Sequence, residues 1–187
     1  MLLIFVLLAL PSHAAVSLAT IDFGHCSEAR KMAVASDGSV FVVAHVNTCG
    51  VGVSRKVAVA KIGTDQELIW RKDYGGSQDQ EPMDVALHID GGVLIVGVTN
   101  SDDFPLVNLL LSEPMPNAGF LMKIDPATGG ILQSTYLWSA ASAVITDRKG
   151  QIYVAGSTNS WEFPTTEGAF QTLHLFGNRN LRFSGDP

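Results

Sequence analysis

"DGSVFVVAHVNT" (37–48), "DGGVLIVGVTNS" (90–101) and "KGQIYVAGSTNS" (149–160) align without a gap, shifted by 53 residues (37 to 90) and then by 59 (90 to 149). Self-similarity at a period of roughly 50 residues marks a tandem array, with propellers among the forms it takes. Each column has a physical reading. Gly38, Gly91 and Gly150 precede an apolar run and suit the positive φ of a tight hairpin turn. The runs "VFVVA", "VLIVG" and "IYVAG" are apolar at consecutive positions and rich in β-branched residues, the pattern of a strand covered on both faces. Ala44, Gly97 and Gly156 share a column where a small residue lets another backbone come close. Asn47, Asn100 and Asn159 end the runs with a turn former.

Working outward, "TNSDDFP" (99–105) and "TNSWEFP" (158–164) follow two of the runs. Asn-Ser stops the strand, Phe104 or Phe163 supplies an apolar plug for the layer between neighbouring sheets, and Pro105 or Pro164 prevents continuation. The first unit has "VNTCGVGVSRK" (46–56) instead, a shortened corner. Upstream, "KMAVAS" (31–36), "MDVALHI" (83–89) and "ASAVIT" (141–146) are the expected hairpin partners. Downstream, "KVAVAKI" (56–62) and "AGFLMKI" (118–124) lead to "QELIWRKDYGG" (66–76) and "GGILQSTYL" (129–137). Four short strands per period and no amphipathic helix predict an all-β, incomplete β-propeller of about two and a half four-stranded antiparallel blades. The expected division is a leader at 1–14, a partial strand of a preceding blade at 15–30, and blades at 31–82, 83–140 and 141–187. The third departs from the pattern after 171, with "NLRFS" (180–184) as a degenerate strand.

The 187 residues are 47% hydrophobic and 16% charged with a net charge of −6, which excludes a phosphate-binding nucleic-acid partner for lack of clustered Lys and Arg. "MLLIFVLLALPSHA" (1–14) reads as a secretory leader cut after Ala14, too short to span a bilayer, and a buried N-terminal strand is the competing reading. Cys26 and Cys49 are the two cysteines. In an exported chain they would pair, in a reducing compartment they would be core thiols, and neither has a neighbour suited to redox or zinc chemistry.

Catalytic patterns are lacking. No His-Glu-x-x-His and no Gly-x-Ser-x-Gly occurs, and His45 and His88 fall inside strand runs, where a packing role is expected. Asp79, Glu81 and Asp84 in "GGSQDQEPMD" (75–84) are oxygen donors spaced as weak candidates for Ca²⁺, but they lack an EF-hand register and read as a solvated loop. "CGVGVSRK" (49–56) fails the phosphate-loop spacing and reads as a hairpin tip. Trp70 ends an apolar run and reads as a wedge between sheets.

The series D-G-x-x-x-V-x-G-x-T-N-S-x-x-F-P, with "GAFQ" (168–171), "FLMKIDPATG" (120–129) and "YGGS" (74–77), resembles the SBBP family of β-propeller repeats over roughly residues 31–171. The resemblance implies an exported bacterial protein, secreted or in the cell envelope, and assigns no catalytic residues. "KIDPATGGIL" (123–132) is also similar to quinoprotein-type propeller repeats, with Gln133 where their Trp would stand; a fragment of such an enzyme is the alternative. The expectation is a non-enzymatic scaffold or binding module without cofactor or metal. Its partner would be a protein or cell-surface polymer, and missing blades would come from self-association or from a longer chain. Asp102, Asp103, Trp161 and Glu162 are the expected contact residues at the corners.

Overall fold

A computed structural model describes residues 3–8, 17–47, 52, 54–108, 110, 118–158 and 163–170. Among them are twelve β-strands and no helix. Strands β1 (Leu3–Leu8) and β2 (Ser17–Asp22) form a two-stranded sheet. The next four, β3 (Glu28–Val34), β4 (Val40–Val46), β5 (Lys56–Ile62) and β6 (Leu68–Tyr74), form a four-stranded meander. A second meander follows with β7 (Gln80–Leu87), β8 (Val93–Thr99), β9 (Ala118–Ile124) and β10 (Ile131–Leu137). A hairpin of β11 (Ala140–Thr146) and β12 (Ile152–Ser157) completes the set, and every pairing is antiparallel.

The repeated turns make this meander. Gly38, Gly91 and Gly150 adopt φ of 85°, 88° and 79°. Each donates its amide to the carbonyl three residues back, Ala35, His88 or Asp147, while that residue's own amide reaches Ser39, Gly92 or Gln151. This is the three-residue hairpin loop whose last position must be left-handed. Asp37 and Asp90 brace their turns by accepting from the Ser39 and Gly92 amides at 2.9 and 3.0 Å. In the third unit Lys149 occupies that column, and Asp147 accepts instead, from the Lys149 and Gln151 amides.

The sheets stack face to face in chain order. Val40, Val42, Ala44 and Val46 pack with Ile21 of β2 and with Phe23, which follows it. Phe41, Val43, Val57 and Val59 face the other way, against Val93, Ile95, Phe120 and Met122 of the second meander. Leu94, Val96 and Leu121 then meet Ala141 and Val144 of β11. Central strands covered on both faces explain the unbroken apolar runs. The sheets do not close into a ring among the described residues.

The first strand of each unit bulges opposite the small-residue column, with register shifts between Ala29 and Lys31, Pro82 and Asp84, and Ala141 and Ala143. A Cβ on Gly97 would lie 2.1 Å from the Glu81 carbonyl oxygen, and one on Gly156 2.0 Å from that of Ala140. The bulged backbone leans into the space a side chain would need.

Two of the three leading strands begin earlier than the hydrophobic pattern predicts, at Glu28 and Gln80. The stretch from Gln80 onward is strand, not loop. Pro82 is tolerated because β7 is an edge strand, where a missing amide costs no ladder bond. Residues 3–8 pair with β2 from Leu3 opposite Asp22 to Leu8 opposite Ser17. The expected cut after Ala14 lies outside the described residues, as does "NLRFS" (180–184).

Candidate functional site

The corner that follows β8, at residues 100–105, lies wholly within the described residues. In the second unit the corner is closed. Phe104 is 3% exposed, its ring 4.8 Å from that of Phe120 and 6.3 Å from that of Tyr136. The Phe104 amide donates to the Tyr136 hydroxyl (3.2 Å), which donates in turn to the Ser101 carbonyl (2.8 Å). Burial raises the Tyr136 pKa, so the phenol stays protonated to make that second bond. Asp103 accepts from the Ser77 amide and hydroxyl at 2.7 and 3.1 Å, and the Ser77 amide foremost holds its carboxyl below the usual range. The Gln78 amide donates to Ser101 Oγ (2.8 Å), and buried Gln80 reaches the same hydroxyl. Asp103 thus ties two loops together, whereas Asp102 is exposed beside it. Trp161 and Glu162, the other expected contacts, lie outside the described residues.

The acidic stretch disperses. The Arg55 amide donates to Asp79 at 2.8 Å and its guanidinium pairs with the same carboxylate at 3.1 Å. Glu81 pairs with Arg30, 51 residues away in sequence, and Asp84 accepts from the Val144 amide at 3.0 Å on the neighbouring sheet. Arg55 also lies 3.9 Å from Glu81 and so bridges two of the three acids, and the described residues contain no cluster of three His, Cys, Asp or Glu able to hold a metal. Arg30 also donates to Nδ1 of His45 (3.3 Å); burial first, then Arg30, lowers the His45 pKa and favours the neutral ring. His88 is a clamp between units, its Nε2 2.9 Å from the Gly150 carbonyl and its Nδ1 2.7 Å from Asp90. Lys123 pairs with the same Asp90 at 2.5 Å and holds that carboxyl far below its ordinary value. Trp70 donates to the Pro126 carbonyl (3.3 Å) and packs near Phe41 at the layer between the two meanders.

The third unit is open where the other two are covered. Phe41, Leu94 and Tyr153 share one column of the repeat and are 1%, 0% and 50% exposed. Ile145, opposite Tyr153 in the hairpin, is 64% exposed. A cleft of about 590 Å³ separates the end of β10 from this hairpin, lined by Leu137, Trp138, Ala141, Val154, Phe163 and Pro164. Phe163, the counterpart of Phe104, is 41% exposed. An incomplete ring is expected from sequence to leave sheet faces exposed on its terminal blades, and the Phe41, Leu94, Tyr153 column places one such face at Tyr153.

Cys26 is disulfide-bonded; Cys49, the chain's other cysteine, lies outside the described residues. No helix among the described residues is long and apolar enough to cross a membrane. Neither a family model nor a curated protein matches the chain.

Proposed function

We propose that the chain is a non-enzymatic, exported β-propeller-type repeat segment that binds a protein partner, a second copy of the chain included, through the open face of its third unit. The observation that carries this reading is the Phe41, Leu94, Tyr153 column, covered by a following sheet twice and bare the third time. The physics that buries Leu94 under β11 acts equally on Tyr153, so a further sheet or strand lowers the free energy of this face. Among the described residues the outer edge of β12 has no neighbouring strand, which leaves main-chain donors and acceptors for an extended partner segment. The resemblance to SBBP repeats supports the propeller form, with about two and a half blades here against the four to eight of a closed ring. A disulfide at Cys26 supports export to an oxidising compartment.

The test uses the full chain and the double variant Ile145→Asp/Tyr153→Lys, compared by light scattering over a range of concentrations and with circular dichroism as a folding control. The wild-type protein is expected to associate reversibly, and the variant to remain a β-rich monomer. A wild-type protein that stays monomeric at every concentration contradicts an adhesive third-unit face.

A further inference from the structure

The rings that close the second corner are all absent from the first. Strand register fixes the correspondence. Phe120 lies between Gly97 and Tyr136 in the ladder, and Ala58 lies between Ala44 and Asp73. Ala58 therefore replaces Phe120, Asp73 replaces Tyr136, and the segment from Val46 to Lys56 has no aromatic residue to match Phe104. A pocket of about 410 Å³ opens in the first unit between the end of β2 and the first meander, with Asp73 in its lining and Ala58 packed away from it.

Its lining is amphipathic. Phe23 and Val46, 2% and 6% exposed, supply the apolar part. The Arg71 guanidinium lies 5.1 Å over the Phe23 ring, donates twice to Asp73 at 3.2 and 3.3 Å, and reaches the Asp22 carbonyl at 3.3 Å. Lys56 stands at the mouth with its ammonium on the Gly76 carbonyl, a neutral partner. Arg71 is paired with Asp73, and the Asp103 carboxylate acts on Lys56 from outside the pocket lining, so Lys56 is the lining cation without an ion pair there. The pocket falls in the size range of small-molecule sites.

We propose that this pocket binds a small aromatic carboxylic acid. The ring lies against Phe23 and the Arg71 guanidinium, which favours a π-face. The carboxylate meets Lys56, whose point charge lacks an acidic partner in the pocket. This site is independent of the open face of the third unit.

The test is titration of the full chain with 4-hydroxyphenylacetate by calorimetry and by protein-observed NMR, with cyclohexylacetate and phenol as comparison probes. Saturable binding with a Kd on the order of 1 mM is expected for a ligand of this size, with ring-current shifts on Val46 and Phe23. Cyclohexylacetate should bind at least about fivefold more weakly, having no π-face to offer the guanidinium. Lys56→Met should weaken the acid roughly tenfold and leave phenol unchanged. Absence of saturable binding in wild type, equal affinity for cyclohexylacetate, or equal loss of acid and phenol in Lys56→Met overturns the proposal.

Discussion

Replacing Phe104 by alanine removes the plug between the two meanders, and the repeat supplies its own control in Phe163. An aromatic ring buries at least about 150 Å², worth about 4 kcal/mol at about 25 cal/mol per Å². Phe104 is 3% exposed and held between Phe120 and Tyr136, so Phe104→Ala should cost about 4 kcal/mol, in the range of buried Phe truncations. Phe163 occupies the same column but is 41% exposed, and Phe163→Ala should cost about 2 kcal/mol or less by the same area argument. In urea, with a slope of about 2 kcal/mol/M, these become midpoint shifts of about 2 M and at most about 1 M. Tryptophan fluorescence and far-UV circular dichroism on the same samples give the midpoints. Equal shifts, or a larger one at Phe163, would refute the reasoning that the second corner is closed and the third open.

Gly97→Val should lower stability by about 3 kcal/mol in the same urea assay, because its Cβ would sit 2.1 Å from the Glu81 carbonyl at the bulge; an unchanged midpoint would show that the bulge moves freely. Stability should fall on acidification in two stages. His45 has a folded pKa below its ordinary 6.5, so the unfolded chain takes the proton first and stability declines as pH drops below 6.5, a decline that His45→Gln should remove. Asp90 has a folded pKa below its ordinary 3.8, chiefly through Lys123; its contribution is complete above 3.8 and lost as pH falls towards the folded value, and Asp90→Asn should flatten that second stage. Thermal melts across this pH range check both, and a variant with the wild-type profile contradicts the corresponding assignment.

The repeat was legible because its signals are local. A turn glycine followed by an apolar run specifies a hairpin within a dozen residues, and the sheets follow that spacing. Phe104 was readable as a plug for the same reason, since a lone aromatic between turn formers has only the neighbouring layer to enter. The leading strands were harder: Gln80, Glu81 and Pro82 look like loop, yet Gln80 is fully buried and Glu81 pairs across to Arg30, a contact 51 residues apart that no local pattern carries. Asp103 reads as a contact residue from its place in a corner loop; its bonds to the Ser77 amide and hydroxyl need the folded loops to be seen. The pocket of the first unit needed the register as well. The shortened corner was visible, but Ala58 and Asp73 become replacements for Phe120 and Tyr136 only once the ladders are aligned.

The central claim is that successive units cover one another and that the third is left bare. Native-state hydrogen exchange, read amide by amide on the purified chain at low concentration, tests it most directly. The account predicts that β4 and β8, paired on both edges and covered on both faces, exchange through global unfolding, while the outward amides of β12 exchange orders of magnitude faster. Protection of β12 equal to that of β8 in a monomeric sample would contradict it.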